Sequence, residues 1–212
     1  MAKITKIEVQ KRNKERVNLF LDDEYAFSIS TELVYKEGLK VNLIVDIEKL
    51  KDLAEKEEMI RCKNSAIRII ERNHKTEKEI RNKLIEKGYN ENAINNAIDF
   101  LKRYNFLNDN TYTKMYVRDK LNSQGSNKIK YALMKKGISR EMIEEELENI
   151  DKDDEKKVAM ELAKKKLTSI KKSENDKYKI SGKLYRFLIS KGYNYDIVKE
   201  TVKDVMSLDD FD

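Results

Sequence analysis

One turn sequence recurs three times in the chain and constrains its fold more than any other feature. Each copy is a Lys-Gly pair, which we call turn 1 (Lys87, Gly88), turn 2 (Lys136, Gly137) and turn 3 (Lys191, Gly192). A leucine lies four residues before each glycine, a small polar residue lies two after it, and Ile or Val lies six after it. Glycine just past an apolar stretch predicts the left-handed residue that ends a helix, and the polar residue predicts the cap of the next helix. The pattern therefore predicts three helix–turn–helix pairs.

The spacing of the turns predicts a third helix in each unit. The glycines are 49 and 55 residues apart, and a helix fits before each pair, at residues 66–72, 111–121 and 155–167. One such unit has little apolar surface, so we expect neighbouring units to share a core. The alternative is that common helix–turn–helix turns recur by chance. Agreement at four aligned positions in all three copies favours a true repeat.

Composition supports small cores and uninterrupted helices. Charged residues make up 40% of the chain and apolar residues 39%, which suits several thin cores better than one large core. The sequence has no proline and only six glycines, so little except capping residues stops a helix.

The first thirty residues alternate with a period of two, as half-buried strands do. The apolar positions are Ile7, Val9, Val17, Leu19, Leu21, Tyr25, Phe27 and Ile29. A hairpin turn is predicted at residues 22–24 and a looser one at residues 12–15. We expect a small antiparallel β-meander that packs on the helices after it, because so short a sheet is marginal alone.

Helical periodicity begins after Val45. Asp46 is predicted to cap one helix that runs toward Met59, and a second segment carries Ala66, Ile69 and Ile70 on one face. Thr76 and Glu79 form a capping box that starts the helix before turn 1.

The predicted architecture is mainly α, with three tandem three-helix repeats in an elongated, curved stack after the β-meander. The predicted divisions are residues 1–45 for the meander, 46–107 for a linker helix and the first repeat, 108–150 for the second repeat and 151–212 for the third.

The residues that carry most catalysis and metal binding are scarce. Cys62 and His74 are single residues of their types, which excludes an internal disulfide and a zinc cluster of these side chains. We expect His74 in a surface loop and Cys62 as a small, semi-buried apolar residue. The acidic stretch at residues 141–155 lacks calcium-loop spacing, and no phosphate-binding glycine loop is present. The sequence therefore predicts a protein that is not an enzyme and has no cofactor.

The chain also lacks a stretch long and apolar enough for a membrane helix, and its first residues lack the core of a signal peptide. We expect a cytoplasmic protein with no membrane partner.

Charge is unevenly distributed along the chain. The overall net charge is +6, but residues 156–191 contain twelve basic and three acidic residues, a net charge of +9. The stretch before them is acidic. Such polarity favours an anionic partner, although lysine-rich helix faces are often only solvated.

Aromatic residues gather near the predicted helix ends. They are Tyr89, Tyr104, Phe106, Tyr112, Tyr116, Tyr185, Phe187 and Tyr193. We predict core positions for each, and the alternative is a surface that stacks on bases or anchors a protein interface.

The middle repeat carries a distinctive pattern. It comprises Tyr104, Asn105, Phe106, Leu107, Asn108, Asp109, Tyr112, Tyr116, Val117, Arg118, Gly125, Lys128, Ile129, Leu133 and turn 2 with Ile138. This pattern resembles the signature of the RecX family, whose members regulate the RecA recombinase. Parts of the first repeat (Thr76, Glu79, Ile80, Lys83, Leu84) and of the third (Lys183, Arg186, Phe187, Leu188, Tyr193) are similar to the family's other repeats. The resemblance covers about residues 60–205, and the β-meander is similar to one found in longer members.

The resemblance implies a monomeric regulator that lies in the groove of a RecA–single-stranded DNA filament and acts in DNA repair and the SOS response. It implies inhibition of ATP hydrolysis and strand exchange, although some members stimulate, and only weak or indirect binding of single-stranded DNA. Candidate contacts with RecA or DNA are Arg118, Lys128, Lys130, Lys136, Lys164, Lys165, Lys183 and Arg186. The alternative is a general nucleic-acid-binding helical module, and a third possibility is an inert scaffold.

Overall fold

The structure, a computed structural model, describes residues 1–11 and 13–208. It divides into two compact units. The first contains Met1–Asn73 and Ile80–Leu107, and the second contains His74–Glu79 and the described residues from Asn108 onward.

The N-terminal segment forms a four-stranded antiparallel sheet. Its strands are β1 (Ala2–Val9), β2 (Arg16–Leu21), β3 (Glu24–Ser30) and β4 (Ile44–Val45), in the order β3-β2-β1-β4. The predicted meander is confirmed, and the two-residue strand β4 was not predicted. The hairpin turn is also confirmed, because Asp22 and Asp23 adopt φ angles of 48° and 69°. Arg12, part of the other predicted turn, lies outside the described residues.

The predicted burial of Val9 is wrong. A bulge between Ile4 and Lys6 changes the alternation of β1, so that Ala2, Ile4, Ile7 and Val9 all lie on the core face. Val9 is nevertheless 53% exposed, because it is the last residue of β1 and β4 pairs only with the other end of that strand. Ile4, Leu19 and Ile29 form the centre of the small sheet core.

A single long helix replaces the two helical segments predicted after Val45. Asp46 does cap it, but the helix α2 (Ile47–Arg72) is continuous over 26 residues. No glycine, proline or internal cap separates Met59 from Ala66, so nothing ends the helix there. A short helix, α1 (Thr31–Lys36), also precedes β4 and was not predicted.

The remaining described residues form eight further helices. They are α3 (Glu77–Glu86), α4 (Glu91–Arg103), α5 (Asp109–Leu121), α6 (Ser126–Lys135), α7 (Arg140–Glu148), α8 (Lys152–Lys171), α9 (Lys177–Lys191) and α10 (Tyr195–Leu208).

Three separate helical cores follow one another along the chain. The C-terminal part of α2 packs with α3 and α4, α5–α7 share a second core, and α8–α10 share a third. The middle core is thin, with its buried apolar residues limited to Val117, Ile129, Leu133, Ile138 and Ile143. The three predicted three-helix repeats are thereby confirmed.

The local signals at the turns are confirmed as well. Gly88, Gly137 and Gly192 adopt φ angles of 78°, 86° and 92°, which is the left-handed region that favours glycine. The polar residue two positions later accepts a hydrogen bond from the next helix in each copy, from the amides of Ala93, Met142 and Ile197. Among the described residues, no helix is both long and apolar enough to span a membrane.

Candidate interaction surfaces

Turn 2 is a docking point for the first turn of α3. The Thr76 hydroxyl donates a hydrogen bond of 2.6 Å to the carbonyl oxygen of Lys136. The Lys78 ammonium lies 3.4 Å from the carbonyl oxygen of Lys135, and a Cβ atom on Gly137 would lie 2.5 Å from the Lys78 side chain. The helix end therefore supplies acceptors, and the missing glycine side chain makes room for the lysine.

Turn 3 receives the start of α6 in the same manner. The amides of Gly125 and Asn127 donate to the carbonyl oxygens of Lys191 and Gly192, at 3.0 and 3.1 Å. The Lys128 ammonium donates to the carbonyl oxygen of Ser190 at 3.3 Å. A Cβ atom on Gly192 would overlap Lys128, including its backbone.

A carboxylate completes each docking arrangement. The amide of Glu77, the first residue of α3, donates to Asp109 at 3.0 Å. The amide and hydroxyl of Ser126, the first residue of α6, donate to Glu155, each at 2.8 Å. The preceding Gly125 has no side chain to cap α6, so Glu155 supplies the cap from another helix. We call these arrangements joint 2 and joint 3, after the turn that each contains.

An ion pair strengthens joint 2. The Lys136 ammonium lies 2.7 Å from a Glu79 carboxylate oxygen and within 6 Å of the rings of Tyr112 and Tyr116. Burial by itself would raise the pKa of Glu79 and lower that of Lys136. The hydrogen bond between the two, further hydrogen bonds from the Thr76 amide and to Tyr112, and the neighbouring charges together outweigh burial, so the pKa of Glu79 lies below its ordinary value and that of Lys136 lies above it.

Joint 2 should therefore weaken in acid. A carboxylate with a lowered pKa stabilises the folded protein above its unfolded pKa, near 4.5, and loses that contribution as the pH falls through the folded value. We expect Glu79→Gln to be less stable than the parent at neutral pH. The difference should shrink steadily below about pH 4.5. Urea unfolding at a series of pH values measures it, and a difference that does not change with pH would contradict the ion pair.

Four of the eight candidate contact residues take part in internal contacts. Lys128 and Lys136 belong to the joints, Lys183 pairs with Glu174 at 3.0 Å, and Lys130 pairs with Glu144 at 2.6 Å. Hydrogen bonds from Lys130, and then from Arg140, lower the pKa of Glu144 to about 2. These four side chains hold the fold as well as adding charge.

The other four candidates are exposed and unpaired in the described structure. Lys164 and Lys165 lie on the outward face of α8, and Arg186 lies on α9. Arg118 lies apart from them, in a groove that also contains the acidic residues Glu146 and Asp154.

A basic groove of about 490 Å³ lies between α8 and α9 beside Arg186. The Phe187 ring in this groove lies 5.6 Å from the ammonium groups of both Lys166 and Lys191. The groove thus brings Lys183 and Arg186 together with Lys166 and Phe187, and Lys191 lies beside the Phe187 ring. Sequence periodicity did not reveal the roles of Lys166 and Lys191, because both depend on how α8 packs against α9.

The predicted burial of all eight aromatic residues is only partly correct. Tyr193 is buried, and the residues that pack partly against the cores are Tyr89, Tyr112, Tyr116, Tyr185 and Phe187. Tyr104 and Phe106 are 59% and 57% exposed, so the prediction is wrong for them. Both follow the last turn of α4, where the chain leaves the core, and Tyr104 packs on Phe106 and Phe100.

Cys62 and His74, the single cysteine and histidine of the sequence, do not belong to a cluster of reactive side chains in the described structure. Cys62 is fully buried, and burial, followed by the charge of Glu58, raises the pKa of its thiol to about 11. His74 is exposed in the loop before α3. The residues that the structure describes contain no cluster of His, Cys, Asp or Glu that could hold a metal ion.

The three helical cores and the joints define a helical-repeat protein. The sequence matches four family models: the regulatory protein RecX N-terminal domain at residues 2–46, and the first, second and third RecX three-helix domains at residues 62–101, 108–147 and 153–202. The chain belongs to the RecX family of regulatory proteins, as its motifs predicted.

Individual relatives agree with the family models. The chain is 62% identical to "Regulatory protein RecX" of Clostridium botulinum (strain Alaska E43 / Type E3), over all of both sequences. It is 63% identical to the protein of the same name from Clostridium beijerinckii, over 99% of this chain and 98% of the relative. A crystal structure of regulatory protein RecX superimposes with a TM-score of 0.67 at 26% identity, covering 96% of this chain and all of that one. The crystal structure of RecX from Lactobacillus salivarius superimposes with a TM-score of 0.63 at 27% identity, covering 70% of this chain and 96% of that one.

Proposed function

We propose that the protein regulates the RecA recombinase by binding in the groove of the RecA–single-stranded DNA filament, and that it catalyses no reaction itself. Family membership carries the proposal, because matches to all four RecX segments extend along the chain. The proposed effect is inhibition of ATP hydrolysis and strand exchange, since a protein lodged in the groove obstructs filament extension. We further propose that it acts as a monomer in the cytoplasm, in DNA repair and the SOS response, without a cofactor.

The joints support binding to a repeating partner. In joint 2 and joint 3 the hydrogen bonds are accepted by backbone carbonyl groups at a helix end. They therefore hold the helix starts in fixed register within the second of the two compact units. A rigid series of similar units can contact several protomers of a filament at once. Simultaneous weak contacts raise affinity without any single strong one.

The proposed contact residues fall into two groups. Arg118, Lys164, Lys165 and Arg186 are exposed and unpaired in the described structure, so their charge is available to a partner. Lys128, Lys130, Lys136 and Lys183 make hydrogen bonds or ion pairs that hold neighbouring elements in place, and their charge adds to that of the exposed group.

Reversing three of the free charges should weaken regulation. We expect the triple variant Lys164→Glu, Lys165→Glu, Arg186→Glu to need at least about tenfold more protein for the same effect on RecA, because each reversal replaces attraction by repulsion. The measurement is a titration of RecA ATPase activity on single-stranded DNA. The far-ultraviolet circular dichroism should be unchanged, since none of the three side chains makes an ion pair.

A matched control distinguishes the loss of specific contacts from the effect of a lower net charge. Lys11, Lys14 and Lys40 are exposed outside the third repeat, and their reversal to Glu changes the net charge by the same amount. This control should regulate RecA as the parent does. Equal loss in both triple variants would contradict the assignment of the contacts, and a parent protein without effect on RecA ATPase would overturn the proposed function.

The second candidate function is a general nucleic-acid-binding module. The basic groove favours it, because an aromatic ring flanked by lysines suits stacking with a base of single-stranded DNA beside a bound phosphate. Tight, strongly salt-dependent binding of single-stranded DNA without an effect on RecA ATPase would support this candidate over the first. Weak DNA binding with a clear effect on the ATPase would support RecA regulation.

A further inference from the structure

Turn 1 has the same sequence pattern as turns 2 and 3, yet no helix start docks on it in this structure. Gly88 adopts the same left-handed conformation, and a Cβ atom there would meet nothing within 4 Å. Turns 2 and 3 instead have a lysine packed against the glycine. Among the described residues, no hydrogen bond reaches the carbonyl oxygens of Glu86, Lys87 or Gly88. The acceptors that joints 2 and 3 use are therefore open at turn 1.

A pocket of about 580 Å³ lies beside turn 1 within the first unit. Glu55 of α2 lines the pocket and is exposed. Its carboxylate could therefore accept a hydrogen bond from the amide of a docked helix start, as Asp109 does in joint 2 and Glu155 does in joint 3. Arg61 also lines the pocket, and its Nη1 atom is buried without a hydrogen-bond partner. A buried guanidinium nitrogen without a partner is costly, which favours a ligand that brings an acceptor.

We propose that turn 1 is a third joint of the same kind, which this chain leaves open and which binds the first turn of a helix from a partner protein. Joint 2 defines the chemistry of the occupant. A capping hydroxyl donates to the Lys87 carbonyl, and a lysine lies against Gly88 and donates to the Glu86 carbonyl. A free amide of the helix start donates to Glu55.

An acidic residue three positions after the cap completes the set of contacts. Glu79 occupies that position in joint 2 and pairs with Lys136. At turn 1, the corresponding carboxylate would pair with Lys87 and offer an acceptor to Arg61. The recognised motif is thus a helix start with Ser or Thr at the cap, lysine within the first turn and Glu or Asp at the third position.

A second copy of this chain does not supply such a helix start from its third repeat. The docking lysines lie ten residues before Gly88 (Lys78) and nine before Gly137 (Lys128), next to the starts of α3 and α6. The same distances from Gly192 fall on Gly182 and Lys183, inside the fifteen-residue helix α9. Amides there are already bonded within the helix. The extra N-terminal residues of α9 therefore prevent this end-to-end stacking, and the occupant is another protein.

The test uses the chain's own docking segment as the probe. The full-length protein is labelled with ¹⁵N-glycine, which gives six glycine amide signals. A synthetic peptide of residues 74–86, which contains Thr76, Lys78 and Glu79, is titrated up to about 1 mM. We expect the Gly88 signal to shift in a saturable manner. Gly137, already covered by Lys78, and Gly182, on α9, should stay unchanged.

Paired variants make the result specific. Lys87→Glu should weaken peptide binding at least about tenfold, because it replaces a charge-assisted hydrogen bond by repulsion. Lys83→Glu, an exposed reversal one turn earlier on α3, should leave binding unchanged. A peptide with Thr76→Val and Glu79→Lys should not bind. The proposal is overturned if Gly88 does not respond, if Lys87→Glu binds as the parent does, or if Gly88 shifts with protein concentration alone, which would indicate self-association. The assay contains no RecA, so its outcome is independent of the proposed function.

Discussion

Gly192→Ala should lower the free energy of unfolding by about 3 kcal/mol or more, whereas Gly88→Ala should cost only about 1–2 kcal/mol. Both residues have similar left-handed φ angles, 92° and 78°, so the conformational penalty of a Cβ atom is nearly equal. Their surroundings differ. The added atom at position 192 would overlap the backbone of Lys128, and the atom at position 88 would enter open space. The difference between the two variants therefore measures the docking of α6 on turn 3.

Urea unfolding followed by circular dichroism measures both losses, provided that the slope of the free energy against urea is the same for each variant. Gly125→Ala gives an independent check, because Gly125 has an ordinary φ of −81° and carries no left-handed penalty. Its Cβ atom would overlap the backbone of Gly192 and Tyr193. We expect a loss comparable to that of Gly192→Ala. Equal losses for Gly88→Ala and Gly192→Ala would show that joint 3 is not formed in solution.

Gly137→Val should lower the free energy of unfolding by an amount between the losses expected for Gly88→Ala and Gly192→Ala. A β-branched residue is penalised in the left-handed conformation by at least about 1 kcal/mol. The new side chain also meets Lys78, whose flexible end can move aside more easily than a backbone can. A melting temperature equal to that of the parent would contradict the role of Gly137 as the residue that ends α6.

Glu155→Ala should cost about 2–4 kcal/mol, although Glu155 is a charged residue with no ion pair in the described structure. Glu155 is 6% exposed, and its carboxylate accepts two hydrogen bonds from Ser126. Hydrogen bonds to a charged group are stronger than neutral ones, and their loss leaves the Ser126 amide without its acceptor. The start of α6 would also lose its only side-chain cap, because Gly125 cannot replace it.

Glu161→Ala is the matched control. Glu161 lies on the same helix, is exposed and makes no ion pair in the described structure, so its removal should change stability by less than about 0.5 kcal/mol. Glu155→Gln should give an intermediate loss, since the amide keeps one acceptor oxygen for Ser126. If Glu155→Ala and Glu161→Ala unfold at the same urea concentration, the cap supplied by Glu155 contributes nothing.

Sequence patterns predicted the parts of the fold that short-range hydrogen bonds control. Asp46 caps α2, Thr76 and Glu79 cap α3, and Gly88 ends it, each as expected from neighbours within four residues. The patterns did not predict features that depend on contacts between residues far apart in the sequence. The bulge in β1 depends on its pairing with β2. The exposure of Val9 depends on β4, which pairs only with the other end of β1, and that pairing joins segments about forty residues apart.

The basic surface shows the same division. The excess of lysine and arginine after residue 155 is visible in the sequence, and so is the RecX pattern. The sequence does not distinguish the exposed Lys164 from Lys128, whose ammonium is held by the Ser190 carbonyl. Lys128 is held because the start of α6 lies against the end of α9, and the residues next to Lys128 in the sequence do not indicate that contact.

The amino-acid sequence alone determined that the chain contains three copies of one helix-ending turn, because a left-handed glycine and a polar cap act through adjacent backbone groups. Only the tertiary structure decided what each turn does. Turns 2 and 3 receive the starts of α3 and α6, and turn 1 remains uncovered beside Glu55 and Arg61. The physical reason is that carbonyl groups at a helix end accept hydrogen bonds from any donor that long-range packing brings to them.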